Sequence, residues 1–204
     1  ALDLASKLDI CAFVICFKEV INEKDHYYLF GRYYVPADRI EHLVHFRDSY
    51  HAWVREGHLI ALDGMEIDYN VIQADVLRLA KEYEVREIAF DPYGAVQMRH
   101  TLSNLGFEAI EIPQQRSHLS EGMRELEAAI LAGRVHHDGN PALLWMMSNV
   151  SAKYDDQENP LPKKDRAAPQ NKIDGAVAAI MAVSRSMTPV DDEYADTSYM
   201  EGTG

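Results

Sequence analysis

The sequence predicts one α/β domain with a mixed central sheet, and three observations support this prediction. Strand-like apolar runs with polar turns between them fill the first 36 residues. Beyond them, segments with helical apolar spacing alternate with short buried strand patterns. Successive strands favour an antiparallel meander, whereas alternating strands and helices favour parallel pairing under flanking helices.

The meander is predicted from the N-terminal sequence. A short strand, ALDLA, precedes a tight turn near Ser6–Lys7, and a longer apolar strand runs from Ile10 to Phe17. The polar turn INEKD leads into a third, aromatic-rich strand, HYYLFGRYYVP. Cys11 and Cys16 fall on opposite faces of the second strand, which disfavours a disulfide between them and favours reduced core thiols.

The later elements alternate in type. Helices are predicted over residues 36–57, 67–85, 93–106, 119–133, 140–150 and 171–184. Buried strands are predicted at REIAF, which runs into Asp91, and at FEAIEIP. Ser120 is expected to cap the fourth helix, and the polar, proline-rich residues 155–170 are expected to form a loop. This order of elements is that of a ribonuclease-H-like fold with an antiparallel three-strand meander, parallel strands and flanking helices.

Composition restricts the class of protein. The chain has 204 residues, of which 33 are acidic and 20 basic, so its formal net charge is −13. A uniformly acidic surface argues against a broad DNA-binding face, but bound divalent cations can change the local field of a nuclease.

We expect a domain over residues 1–187 and an acidic, disordered tail over residues 188–204. No run reaches the length of a membrane span, and no signal peptide is visible. The start at Ala1, without Met and inside a strand pattern, suggests a fragment of a longer protein.

Three aspartates lie in apolar sequence where a lone charge would be costly to bury. Asp3 lies in the first strand, Asp91 ends a buried strand before a proline, and Asp174 opens the last helix. A shared Mg²⁺ or Mn²⁺ would offset the cost of burying them. Asp9 is a weaker fourth candidate, because a tight hairpin at Ser6–Lys7 would return it close to Asp3.

Each aspartate also has a simpler interpretation. Asp174 could serve the dipole of its helix, Asp91 could be the turn residue of an Asp-Pro pair, and Asp3 could be a charge on an edge strand. Asp9 could be a hairpin turn residue. Their combination is more specific than any one of them.

Basic residues gather shortly before the last helix and could contact DNA phosphates. They are Lys153, Lys163, Lys164, Arg166 and Lys172. A charged solvent-exposed loop is the alternative interpretation of this cluster.

Four sequence stretches carry a resemblance to a known family. They are LDLASKLDICAF, IAFDPYGA, HDGNPALLWMMSNV and NKIDGAVAAIMA. Together they resemble the C-terminal nuclease domain of the large terminase subunit of tailed bacteriophages, in its HK97-like branch. The resemblance implies a ribonuclease-H-like fold and metal-dependent cleavage of concatemeric double-stranded viral DNA during genome packaging.

The resemblance also implies site residues and partners. The family's catalytic, metal-binding carboxylates correspond to Asp3, Asp91 and Asp174, and an additional one in some members corresponds to Asp9. They would hold two Mg²⁺ or Mn²⁺ ions, with Asp3 as the expected bridging ligand. The family protein carries an N-terminal packaging ATPase, for which no Walker A loop occurs here. A portal protein and a small terminase subunit are the expected partners, in the host cell cytoplasm and transiently at the procapsid portal.

Two other interpretations stay open at this point. The chain could be another enzyme on the same fold, such as a junction resolvase or a transposase-like strand-transfer enzyme. It could also be a catalytically silent docking module of the packaging motor, which the aromatic strand and the acidic surface would suit.

Overall fold

A mixed sheet forms the centre of the fold in a computed structural model that describes residues 1–4, 9–92, 96–165, 167–168 and 170–188. Within these residues its strands are β1 (Leu2–Asp3), β2 (Cys11–Ile21), β3 (Lys24–Pro36), β4 (Ile60–Leu62), β5 (Glu87–Phe90), β6 (Glu108–Glu111) and β7 (Val135–His137). The order across the sheet is β4-β3-β2-β1-β5-β6, and β7 also pairs with β3. A separate antiparallel hairpin joins β8 (Val150–Ala152) to β9 (Pro162–Lys164).

Strand directions agree with the predicted mixed sheet. β1, β2 and β3 are antiparallel neighbours, whereas β5 runs parallel to β1 and to β6. Asn22 and Glu23 form the turn between β2 and β3, both with positive φ angles of 51° and 65°. Such a two-residue turn matches the twist of the flanking strands, so the predicted polar turn is a tight hairpin.

Helices cover both faces of the sheet. They are α1 (Ala37–Ile40), α2 (Arg47–Arg55), α3 (Tyr69–Glu82), α4 (Val96–Asn104), α5 (Arg116–Leu131), α6 (Pro141–Ser148) and α7 (Asp174–Ser186). On one face, α5, α6 and α7 share a core with Ala12 and Val14 of β2. On the other face, α3 packs Ile72 and Val76 against Phe13 and Tyr34. Every residue of α7 from Gly175 to Val183 is buried, because α7 packs against β2, α5 and α6.

The structure departs from the predicted elements in the helix predicted after β3 and in two short strands. The predicted helix over residues 36–57 is two helices, because His42 and Leu43 donate short-range hydrogen bonds to Arg39 and Ile40 that end α1. Val44, which lies between the two helices, is 87% exposed. The three-residue strands β4 and β7 were not predicted, because they are too short to display a period of two.

Two further corrections concern α5 and the loop that precedes α7. Ser120 lies inside α5 rather than at its start, where Gln115 is the N-cap residue. The Ser120 hydroxyl donates a 2.7 Å hydrogen bond to the carbonyl of Pro160, so it ties α5 to the chain before β9. The predicted loop over residues 155–170 contains β9, whose pairing partner is too distant in sequence for a local pattern to reveal.

Several expectations lie outside the described residues. They are the tight turn at Ser6–Lys7, the start of the helix predicted over residues 93–106, and residues 189–204 of the predicted tail. The division into a domain over residues 1–187 and a tail over residues 188–204 therefore stays a prediction. None of the helices seen in the described ranges combines the length and the apolar character needed to cross a membrane.

Candidate active site

Asp3 and Asp91 lie beside each other because β1 and β5 are parallel neighbours. Leu2 pairs with Phe90, and the amide of Asp91 donates a 3.4 Å hydrogen bond to the carbonyl of Leu2. Both aspartates therefore stand at the carboxyl ends of adjacent parallel strands, the edge at which α/β sheets commonly bind ligands. Asp3 is only 6% exposed.

Asp174 reaches the same edge from α7, of which it is the first residue. Gly175 allows this approach: a Cβ atom there would lie 2.5 Å from Cε of Met146 and 2.9 Å from the ring of Tyr33. The glycine lets the start of α7 pack directly on α6 and β3. The Asp174 carboxylate is consequently carried by a helix end held on two sides.

Asp9 joins the group with both carboxylate oxygens already accepting hydrogen bonds. Its Oδ1 accepts from the amide of Ile10 at 2.8 Å, and its Oδ2 lies 2.6 Å from the Lys172 ammonium. Lys172 precedes α7 by two residues, so this ion pair ties the segment before β2 to the start of the last helix.

The four aspartates open onto one cleft of about 350 Å³. Its polar lining consists of Asp3, Asp9, Asp91, Asp174, Gln114, Asn171, Lys163, Lys164 and Lys172. The structure thus brings all four aspartates of the sequence prediction to one place, together with three of the predicted lysines.

The other aspartates of the cleft oppose the ionisation of Asp3 and of Asp174. Burial raises the pKa of Asp3 well above its ordinary value, and the charges of Asp174 and Asp91 raise it further, against a hydrogen bond from Gln114. Burial, followed by the charge of Asp9, raises the pKa of Asp174 to about 7. Lys172 and Lys164 act in the opposite direction on Asp174. A shared cation would relieve this mutual repulsion, because opposite charge stabilises the ionised carboxylates.

These residues suit a divalent metal by their chemistry. Carboxylate oxygens are the donors that Mg²⁺ and Mn²⁺ prefer. Within the described ranges, however, no three His, Cys, Asp or Glu side chains converge closely enough to hold an ion as they stand. The donor atoms therefore fit the metal, and the aspartate side chains would have to move closer together to bind it.

The predicted lysines divide into two groups. Lys163 and Lys164 of β9 and Lys172 line the cleft, whereas Lys153 lies on the same hairpin but outside the lining. Arg166 is outside the described residues. Arg116 steadies this hairpin from α5, since its guanidinium donates to the carbonyls of Asn159 and Lys153, each at 2.9 Å.

Two polar residues that contact the predicted site residues were not themselves predicted from the sequence. Gln114, which follows β6, donates a 3.0 Å hydrogen bond to Oδ1 of Asp3. Asn149, at the end of α6, donates a 3.0 Å hydrogen bond to the carbonyl of Lys172. The position of Gln114 just beyond a strand parallel to β5 was the available signal, because such positions converge at one sheet edge. Asn149 offered no local signal.

A larger cavity of about 470 Å³ lies between β2 and β5, away from the aspartates. Phe17, Tyr83 and Val85 contribute to its lining. The Glu87 carboxylate in its lining is paired with the Arg185 guanidinium at 2.7 and 2.9 Å. Among the residues that the structure describes, this cavity therefore lacks a group of mutually repelling carboxylates like that of the cleft.

Comparison with known proteins identifies the family of the chain. The family model described as the terminase large subunit, endonuclease domain, matches residues 1–189. The chain is 38% identical over 193 residues to protein YmfN of Escherichia coli strain K12, covering 92% of this chain and 42% of the relative. It is 28% identical over 198 residues to the terminase large subunit of Enterobacteria phage HK97, covering 96% of this chain and 38% of the relative. The chain therefore spans about two fifths of the length of these relatives.

Solved structures support the fold. The crystal structure of the HK97 large terminase superimposes with a TM-score of 0.76 at 27% identity, over 90% of this chain and 38% of that one. The large terminase nuclease of thermophilic phage G20c superimposes with a TM-score of 0.52 at 13% identity, over 92% of this chain and 80% of that one. The ribonuclease-H-like fold and the predicted family are thereby confirmed. The chain belongs to the family of terminase large subunit endonuclease domains.

Proposed function

We propose that the chain is a divalent-metal-dependent endonuclease that cleaves concatemeric double-stranded viral DNA during genome packaging. Family membership supports a nuclease role in packaging. One observation carries the finer proposal: four aspartates and three lysines line a single cleft. Carboxylates can hold cations there while ammonium groups attract phosphates, so the cleft has the two kinds of charge that phosphodiester cleavage needs.

The proposed cofactor is a pair of Mg²⁺ or Mn²⁺ ions held by Asp3, Asp91 and Asp174, with Asp9 as an additional ligand. Asp3 suits the bridging role, because its ionisation is opposed by both Asp174 and Asp91. A crystal structure of the G20c large terminase nuclease, 13% identical to this chain with a TM-score of 0.53, contains bound magnesium. That likeness supports a divalent ion in the family's fold, and the number of ions here is our proposal.

Bound cations would supply an activated water and charge stabilisation for the leaving oxygen. The chain's own residues have complementary tasks. Asp3 is held by Gln114 on a buried strand, and Asp174 by the packed start of α7, so both carboxylates are presented from rigid elements. Lys163 and Lys164 are exposed at the mouth of the cleft, where they would bind the DNA backbone and orient the scissile phosphate.

We place this chain, over residues 1–187, as the nuclease part of a larger packaging protein. Its proposed partners are an N-terminal packaging ATPase domain, a portal protein and a small terminase subunit. The proposed location is the host cell cytoplasm, transiently at the procapsid portal. The net charge of −13 suggests that part of the DNA affinity is supplied by those partners.

Plasmid cleavage tests the proposal. The wild type is incubated with supercoiled plasmid in Mn²⁺, Mg²⁺ or EDTA, beside Asp174→Ala and a matched control, Asp138→Asn. Asp138 accepts a hydrogen bond from the amide of Asn140 outside the cleft, and an asparagine can still accept it. We expect double-strand breaks that need metal, disappear in folded Asp174→Ala and persist in Asp138→Asn.

Two other results would redirect the proposal. Branched or rejoined products would indicate a resolvase or strand-transfer enzyme on the same fold. No cleavage, combined with no Mn²⁺ binding in a calorimetric titration, would indicate a catalytically silent docking module. Mn²⁺ binding without cleavage would indicate a nuclease that acts only with its ATPase part.

A further inference from the structure

Lys172 is held in the cleft from two directions. Its ammonium lies 2.6 Å from Oδ2 of Asp9, and its backbone carbonyl accepts a hydrogen bond from Asn149. The side chains of Lys172 and Asp9 are only 19% and 25% exposed. The positive charge is therefore part of the cleft wall, unlike the exposed charges of Lys163 and Lys164.

The aspartates of the cleft differ in what they contact. Asp3 accepts its hydrogen bond from the neutral amide of Gln114, whereas Asp9 contacts a full positive charge. Oδ1 of Asp9 is also engaged, by the amide of Ile10. A divalent ion that approached Oδ2 of Asp9 would meet the Lys172 ammonium at close range, where like charges repel strongly in a partly buried site. Lys172 and such an ion consequently compete for the same oxygen.

The two sides of the cleft therefore differ in the free energy of cation binding. On the side of Asp3, Asp91 and Asp174, a cation relieves repulsion among carboxylates. On the side of Asp9, whose charge also repels that of Asp174, a cation must in addition displace a salt bridge. The displaced ammonium would face the cleft, in which a DNA phosphate offers a new anionic partner.

We propose, on the basis of the proposed function, that Lys172 is a positioning residue that serves as the counter-ion of Asp9. It pairs with Asp9 while one divalent ion is bound among Asp3, Asp91 and Asp174. It exchanges Asp9 for a DNA phosphate when a second ion binds. The second ion is thereby coupled to the presence of DNA.

Calorimetric titration with Mn²⁺ in the absence of DNA tests this proposal. The wild type is compared with Lys172→Gln, with Lys172→Arg, which keeps the charge, and with Lys163→Gln, which removes a charge from the same cleft. We expect one tight and one weak site in the wild type. Lys172→Gln should tighten the weak site by about tenfold or more, because its competitor is gone. Lys172→Arg and Lys163→Gln should leave it within about twofold of wild type.

Thermal melting gives a second measurement. In EDTA, Lys172→Gln should melt at a lower temperature than the wild type, because Asp9 loses its partner. Mn²⁺ should remove this difference in melting temperature, because a bound ion replaces the lost positive charge. Asp9→Asn provides an independent variant if Lys172→Gln does not fold. It should keep the tight site and lose the weak one.

The possible failures are distinguishable. A weak site that is unchanged in Lys172→Gln, or that persists in Asp9→Asn, would overturn the role of Lys172 while the tight site still supports the proposed function. A wild type that binds no Mn²⁺ at all would overturn the metal-dependent mechanism, and with it this inference.

Discussion

The side-chain amide of Gln114 donates a 3.0 Å hydrogen bond to Oδ1 of Asp3, across 111 positions of sequence. The contact forms because β6 lies beside β5, and β5 beside β1, so the chain leaving β6 passes the end of β1. The hydrogen bond favours the ionised form of Asp3, which burial and three neighbouring aspartates disfavour. Gln114 therefore orients Asp3 and makes it a better anionic ligand.

Replacing Gln114 with alanine should weaken Mn²⁺ binding and DNA cleavage by about 10–100-fold, the usual cost of losing a group that orients a metal ligand. Gln115→Ala is the matched control, because Gln115 is exposed and its side chain makes no capping hydrogen bond to α5. Titration calorimetry and plasmid cleavage would measure the two effects. Equal Mn²⁺ affinity in both variants would show that Asp3 does not need Gln114.

Stability should depend on pH through Asp174. Its pKa is raised from 3.8 to about 7 in the fold, so the folded state holds a proton that the unfolded state releases. The free energy of unfolding of the metal-free protein should receive a contribution from Asp174 that is fully present below pH 3.8 and is lost as pH rises to about 7. Urea unfolding in EDTA across this range would measure it.

Asp174→Asn isolates this contribution from those of other groups. The variant cannot ionise, so its stability relative to wild type should increase as pH rises toward about 7 and level off above that value. Saturating Mn²⁺ should make the wild type more stable than Asp174→Asn, because the ion binds the ionised carboxylate of the wild type. A stability difference that stays constant with pH would contradict the shifted pKa.

The sequence was sufficient for the elements of the site that are encoded locally. Asp91 ends an apolar strand and Asp174 opens an apolar helix, and each pattern is visible within about ten residues. The contacts of Gln114 and Lys172 depend on tertiary neighbours instead. Nothing near Lys172 in the sequence indicates Asp9, 163 positions away, because the pairing arises only when α7 packs beneath β2.

DNA binding should distinguish the lysines of the hairpin. Lys163→Gln and Lys164→Gln should each reduce affinity for a DNA duplex without selecting among sequences. Each should also reduce the slope of log affinity against log salt by about 0.9, the effect of one lost phosphate contact. Lys153→Gln should have a smaller effect, because Lys153 does not line the cleft. Fluorescence anisotropy in Ca²⁺ at several salt concentrations would measure the slopes, and equal slopes in all three variants would contradict this placement of the DNA.

Substitutions at two glycines should distinguish the effect of helix stability on metal binding from the effect of the geometry of the first turn of α7. A Cβ atom at Gly175 would lie 2.5 Å from Cε of Met146, and one at Gly122 of α5 would lie 2.7 Å from Cβ of Ser184 near the far end of α7. Overpacking costs about 1–3 kcal/mol, of which the helix propensity of alanine recovers up to about 1 kcal/mol. Gly175→Ala and Gly122→Ala should therefore both lower the free energy of unfolding in urea.

Only the first substitution should change the cleft. Gly175→Ala must move the start of α7 or the side chains beneath it, so Asp174 should shift and Mn²⁺ affinity should fall by about tenfold or more, as metal sites need ligands held within about 0.5 Å. Gly122→Ala acts at the opposite end of the helix and should leave Mn²⁺ affinity within about twofold of wild type. Equal loss of affinity in both variants would indicate that metal binding follows overall stability rather than the local packing that positions Asp174.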